Sequence, residues 1–301
     1  MNRKVNRVGH NTLTVSLPAK WVKKLGIRPG DNLSLFEQGS DLVIRHATGV
    51  TWGKTKIDIH KFGFFHQNFL SNVYHLGFDE VEVHFKEDKE FNHIQARLPQ
   101  YIGFEIVDQG ENYCVIKDIS QTSELEFDNV LRRTFILLIE MSEKCEEAIR
   151  KKEFERLKEI RLLESMNNKF TDYCRRILNK KGYADSRKTN VVYTLVHDLE
   201  RIGDEYKRIC DHFSRERRPA SKEILDLYHQ LNLYLRTFYE LFYKYNKEKL
   251  ETILKEGQGI VEQLNRFLIG KNKDDAILAH HLIYITIGVY DLSYIYIEIF
   301  L

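Results

Sequence analysis

Proline is scarce in this sequence, four in 301 residues, while Glu, Lys, Leu and Ile are abundant. That balance argues against a β-sandwich or a disordered chain and makes a helix-rich body the default. Cysteine is equally sparse. Cys114, Cys145, Cys174 and Cys210 form no C-x-x-C pair, so neither a zinc knuckle nor a disulfide framework is signalled. Three of them lie in helical periodicity and read as small core residues in a reducing compartment. The opening residues, MNRKVNRVGHNT, hold no apolar run of the kind that directs secretion, and a cytoplasmic location is expected. At the apolar end of the chain the longest charge-free run, Ala276–Tyr290, has 15 residues, short of the roughly 20 that cross a bilayer. Asp291 and Glu298 interrupt the apolar stretch beyond it, so a bundle helix is expected there and no transmembrane segment. No H-E-x-x-H, phosphate-binding glycine loop or nucleophile–base motif appears, and no catalysis is expected.

Net charge is also small, +2 over the chain, but it is unevenly spread. Residues 1–49 carry eight basic residues against three acidic ones, a net +5 that leaves −3 for the remainder. A basic head on a mildly acidic body suggests that the head meets an anion. With 43% hydrophobic and 30% charged residues, the chain can bury a sizeable core and stay soluble. Its length suggests two domains or more.

The head reads as ββαββ. Residues 4–8 and 12–17 alternate as short strands, and Pro18 suits the first turn of a helix over Ala19–Leu25. Gly26 supplies a left-handed stop, and Arg28-Pro29-Gly30-Asp31 is a turn signal. Strands Asn32–Glu37 and Asp41–Arg45 follow around Gln38-Gly39-Ser40. A unit of this size buries its own sheet poorly, so a partner chain is expected. Val15-Ser16-Leu17-Pro18, Trp21, Leu25-Gly26-Ile27, Gly30-Asp31 and Leu42-Val43-Ile44 resemble the AbrB/MazE/SpoVT swapped-hairpin family of DNA-binding domains. The resemblance implies an interleaved homodimer over residues 1–48 whose basic residues contact DNA. The candidates are Arg3, Lys4, Arg7, Lys20, Lys23, Lys24 and Arg28.

Residues 54–120 change character. Strands are expected at Lys56–His60, Glu80–Phe85, Phe104–Gln109 and Tyr113–Lys117, and helices at Lys61–Leu76 and Phe91–Gln100. The order βαβαββ gives a small α/β domain, and no motif in it carries chemistry.

From Phe127 the pattern is helical. Phe127, Leu131, Thr134, Leu138, Met141, Cys145 and Ala148 step alternately by four and three, as do Leu195, Leu199, Ile202, Tyr206, Ile209 and Phe213. These are bundle seams. Helices are expected at about 127–150, 152–180, 188–213, 221–246, 248–269 and 274–301, split by the Pro219 linker into two three-helix bundles, residues 127–213 and 221–301. At an offset of 87 residues Leu195 matches Leu282, Ile202 matches Val289, Asp204 matches Asp291 and Asp211 matches Glu298. The third helix of each bundle is therefore read as duplicated. The expected fold class is α+β, mostly α.

Glu200 and Asp204 stand four apart and share a helix face, with His197 and Asp211 near the same direction. Oxygen and imidazole groups so arranged suit hard or borderline cations; as pattern alone they suit a solvated face better. Leu199-Glu200-Arg201-Ile202-Gly203-Asp204, with Leu131-Arg132-Arg133 upstream, resembles the PhoU family of phosphate-signalling regulators. Tandem three-helix bundles are that family's architecture, and archaeal relatives often join an AbrB-like head to it. The resemblance implies a phosphate-linked sensory body with metal clusters on E(D)-x-x-x-D pairs. Here it implies one divalent or iron-type ion in the first bundle, held by Glu164, Asn168, Glu200 and Asp204. Asn168 stands where an acid would. In the second bundle Ile287 precedes Asp291 and Ile260 follows Glu256, half-motifs that imply no second full site.

Together these readings lead to a cytoplasmic, homodimeric, DNA-binding transcriptional regulator of phosphate uptake and homeostasis. One alternative is a PhoU-like adaptor that docks on a phosphate transporter or sensor kinase and uses the head only to dimerise. A second is a metal-dependent hydrolase built on Glu200 and Asp204.

Overall fold

The computed structural model describes residues 2–38, 41–46, 53–61, 68–120, 124–270 and 272–301. The chain divides into two compact units, Met1–Thr51 and Trp52–Leu301.

In the first unit, β1 (Val5–Val8) and β2 (Thr12–Val15) pair antiparallel, with Val5 opposite Val15 and Arg7 opposite Leu13. Gly9, at φ 67°, begins the turn between them. Helix α1 (Ala19–Leu25) starts at Pro18, whose carbonyl accepts from the amides of Trp21 at 2.9 Å and Val22 at 3.0 Å. The proline's missing N–H is no loss at a helix start. Gly26 ends the helix at φ 65°, as expected. β3 (Leu33–Gln38) and β4 (Asp41–His46) form a second antiparallel pair; Gly39 and Ser40, in the expected turn, lie outside the described residues. The two hairpins remain separate two-stranded sheets. A two-stranded ribbon is marginal in water because it has no second layer to bury its apolar face. Among the residues of this unit whose side chains are described, none is buried.

The second unit opens with a four-stranded sheet in the order β5 (Lys54–Asp58), β6 (Glu80–His84), β8 (Tyr113–Asp118), β7 (Phe104–Gln109). The β5–β6 pair is parallel and the others antiparallel. Val81 and Val83 alternate with Glu80, Glu82 and His84, and the valines are buried. Two helices complete the layer, α2 (Phe69–His75) and α3 (Asp88–Arg97). The expected start of the first helix falls partly on residues 62–67, outside those described. The second begins earlier than expected because Glu87 and Glu90 cap each other's backbone amides. It gives way at Pro99 to a 3-10 turn over Leu98–Gln100.

Seven helices follow: α4 (Glu124–Arg150), α5 (Arg156–Arg161), α6 (Leu163–Lys181), α7 (Thr189–Glu216), α8 (Lys222–Tyr243), α9 (Lys247–Leu268) and α10 (Lys273–Phe300). The single helix expected at 152–180 is two, α5 and α6, joined at Leu162. Before them Lys152 takes φ 60°, and the Glu153 amide closes back onto the Ala148 carbonyl at 2.8 Å, ending α4. The expected seams are buried along α4 and α7.

One continuous apolar core runs through all seven helices. α7 packs on α10 and α4 on α8, so the set α4–α7 and the set α8–α10 share an interior. Helices α7 and α10 are each 28 residues long. Among the described residues α10 is the one helix long and apolar enough to cross a membrane. In this body it places Leu278, Ala279, Leu282, Ile285, Val289, Leu292 and Tyr296 in the shared core.

A buried guanidinium joins the sheet layer to the helices. Arg176 of α6 is 0% exposed. It donates to the Asp118 carboxylate at 2.6 Å and to the carbonyls of Tyr74 at 2.9 Å and Phe78 at 2.8 Å. It also lies over the rings of Tyr74 and Phe104. Lys180, one turn on, reaches Asp79 at 2.5 Å and Asp118 at 3.3 Å. Burial alone would raise the Asp118 carboxyl; hydrogen bonds from Ser120 and Arg176 outweigh it and hold the group below its ordinary value.

Candidate functional site

All seven basic residues picked out in the head are exposed. Arg3 and Lys4 precede β1, and Arg28 follows α1 in a turn closed by its own amide on Asp31 at 2.7 Å. Lys20, Lys23 and Lys24 share one face of α1 by their three- and four-residue spacing, while Trp21 and Val22 are half-buried. Arg7 lies opposite Leu13 and therefore on the same sheet face as Val5, Leu13 and Val15. Those apolar residues are exposed at 63%, 69% and 45%, and Leu35 and Leu42, on one face of the other hairpin, at 59% and 56%. The head thus presents bare apolar faces and a set of free-standing basic side chains.

The second candidate lies between α6 and α7. At one end Arg161, the last residue of α5, meets Asp211 at 2.5 Å. Next, Lys207 reaches Glu164 at 2.6 Å and Asp204 at 2.7 Å. At the far end Arg175 contacts Glu200 and stands 2.6 Å from His197 Nδ1. Along these antiparallel helices, the span from the Glu164–Lys207 contact to the Arg175–His197 contact sets Asn168 level with Asp204 and Asp172 level with Glu200. The register differs from the expected one, in which Glu164 and Asn168 converge on Glu200 and Asp204. Level with Glu200 is Asp172, an acid the sequence reading passed over, and it pairs with His75 of the sheet layer at 2.6 Å.

The stripe is partly covered: His197 is exposed and Asp211 half-buried. Glu164 is 5% and Arg175 7% exposed, and Glu200 and Asp204 are half-buried under α6. Burial raises the Glu200 carboxyl, with Arg175 opposing and Asp172 reinforcing the shift. Burial and the Arg175 charge lower His197 and favour its neutral ring. Burial would likewise lower Lys207, but hydrogen bonds to Asp204 and Glu164 prevail and hold its ammonium above the ordinary lysine value.

The four residues implied as metal ligands are therefore not gathered on a common point. Asn168 turns its amide nitrogen to Glu164 at 2.7 Å, acting as a donor. Glu164 and Asp204 share Lys207, and Glu200 belongs to Arg175. Among the described residues no three His, Cys, Asp or Glu side chains are placed to hold a metal ion. In the other half, Asp291 lines a groove between α7 and α10 with Asp198, Arg201, Glu205 and Ile287. Burial, with Asp198 nearby, raises its carboxyl.

Sequence reasoning missed Lys207, Arg175, Asp172 and His75. The first three carried a signal. Asp172 and Arg175 continue the α6 stripe begun by Glu164 and Asn168, and Lys207 stands one turn beyond Asp204. His75 carried none, because only the docking of the sheet layer brings it to α6.

Residues 7–51 match the family described as antidote-toxin recognition MazE, bacterial antitoxin. The chain therefore carries a MazE-type domain at its N-terminus, and its remaining five-sixths or so lies beyond that match. No curated protein and no solved structure matches the chain.

Proposed function

We propose that this chain is a non-catalytic, cytoplasmic transcriptional regulator of phosphate uptake and homeostasis. Its head binds DNA as a homodimer, and its helical body acts as a PhoU-like sensor. The single observation that carries the DNA reading is the head itself. A MazE-type match coincides with two hairpins whose apolar faces are bare and with seven exposed basic residues. A second copy covers those faces, and a two-fold dimer prefers a roughly palindromic site. The phosphate reading rests on the α7 motif Leu199–Asp204 and on the pairing of duplicated 28-residue helices in one body.

Genome-wide DNA occupancy under phosphate-replete and phosphate-starved conditions tests both parts. Promoter binding that changes with phosphate supply is expected. On recovered promoter DNA, Arg3→Ala with Lys4→Ala and Arg7→Ala should weaken binding and flatten its salt dependence, by roughly one slope unit for each backbone phosphate that the variant no longer neutralises. A dimer with no salt-dependent DNA binding would replace this reading with that of an adaptor docking on a transporter or sensor kinase.

A further inference from the structure

Between α6 and α7, four carboxylates and two permanent cations occupy one half-buried strip. Glu164 and Asp172 come from α6, and Glu200 and Asp204 from α7. Lys207 bridges the helices through Glu164 and Asp204, at distances typical of charge-assisted hydrogen bonds, and Arg175 reaches across to Glu200.

We infer that this body carries its own cations in the place where the PhoU resemblance implies a metal ion, so that Lys207 and Arg175 neutralise the α6–α7 carboxylates and exclude metal. Lys207 already holds one oxygen of Glu164 at 2.6 Å and one of Asp204 at 2.7 Å, so a metal ion bridging these two carboxylates would stand beside its ammonium. The ammonium competes for the lone pairs of these oxygens, and its charge repels a cation at that distance. Asn168 fits the same design. Its amide nitrogen donates to the same Glu164 oxygen that Lys207 holds, so that oxygen already has two donors. Without a cation the strip would hold four partly buried negative charges facing one another, an arrangement that either protonates or separates the helices. The chain supplies the neutralising charge from within one turn of the acids: Lys207 three residues after Asp204, Arg175 three after Asp172. The inference rests on this geometry and stands whether or not the head binds DNA.

Mn2+ alone is the probe, followed by its spin-resonance signal in equilibrium with the full-length protein. Wild type should show no saturable site. Lys207→Met with Arg175→Met should acquire one, at least about tenfold tighter than any residual wild-type binding, because removing positive charge restores ligand charge to the cluster. Adding Asp204→Asn should remove it again. Lys207→Arg keeps the cation and should exclude Mn2+ as wild type does, which tests the idea even if the double variant does not fold. Saturable Mn2+ binding by wild type that Glu200→Gln or Asp204→Asn abolishes would overturn the inference. So would a folded double variant that binds no more than wild type.

Discussion

The head and the body solve the burial problem in opposite ways. In the body, Leu199, Tyr206, Phe213 and their neighbours are 0% exposed, and each helix finds its apolar partner within the same chain. In the head, Leu13 is 69% and Val5 63% exposed on ribbons too thin to cover them. The same residue types are satisfied in one region and bare in the other, and the cause is layer count. Seven helices can surround a common core, whereas two separate hairpins and a seven-residue helix cannot. The body's stability should therefore belong to the single chain, and the head's should depend on a second copy.

The largest expected effect breaks the body at its joint. Arg176→Met leaves Asp118 buried without its guanidinium and strips donors from the Tyr74 and Phe78 carbonyls. Losing one partner of a buried ion pair costs about 3–5 kcal/mol. Urea unfolding should show that loss at every protein concentration; a change below about 1 kcal/mol would mean that the sheet layer is held mainly by apolar contacts.

Matched leucines sharpen the contrast. Leu199→Ala should destabilise the body by about 2–5 kcal/mol, independent of concentration. Leu13→Ala, at an exposed position of an isolated chain, should barely alter body unfolding but should weaken self-association in sedimentation. Full burial of such a side chain in a dimer is worth about 1.5–3 kcal/mol. If Leu13→Ala leaves association untouched while Leu199→Ala weakens it, the dimer is held by the body.

Acid should act on the body's joint. Asp118 is held below its ordinary value of 3.8, so the folded protein binds its proton less readily than the unfolded chain. Its contribution is fully present above that ordinary value and is lost as pH falls through the depressed folded value. Unfolding followed from pH 6 downward should steepen below roughly pH 4, and Asp118→Asn should flatten that limb. An unchanged limb would assign the acid sensitivity to other carboxylates.

How far the sequence reveals this molecule depends on whether a signal is local. The ββαββ order, the Gly26 stop and the seams follow from periodicity and turn chemistry within short windows, and the structure reproduces them. The break at Leu162 was missed because both sides keep the same apolar period, so nothing in the pattern marks a boundary. The metal-ligand set failed for a different reason. Spacing showed that Glu164 and Asn168 share one face and Glu200 and Asp204 another, but the register between helices is set by packing. Buried Gly203, which faces Asn167 across the contact, belongs to that packing. A shift of one turn exchanges Asn168 for Asp172 opposite Glu200 and brings Lys207 onto the acids.

The smallest effects separate two glycines that look alike in sequence. Gly26 closes α1 at φ 65°, and a Cβ there would meet nothing within 4 Å. Gly26→Ala should therefore cost only the left-handed backbone strain, about 1–2 kcal/mol, and should appear as weaker self-association because the head's folding is tied to its partner. Gly203 sits in mid-helix with ordinary backbone, but a Cβ there would lie 2.5 Å from Asn167 Nδ2 and 3.4 Å from Leu138 Cδ2. Asn167 is 1% exposed, so its side chain has little room to withdraw. Helix propensity favours alanine by about 1 kcal/mol at such a position, and overpacking opposes it by about 1–3 kcal/mol. The net expectation is a body destabilised by about 1 kcal/mol. The companion change Asn167→Ala should relieve the crowding, so the double variant should be more stable than Gly203→Ala alone. Additive losses in that double-mutant cycle would show that Asn167 and Gly203 are not in contact, and the α6–α7 register would then have to be set elsewhere along the helices.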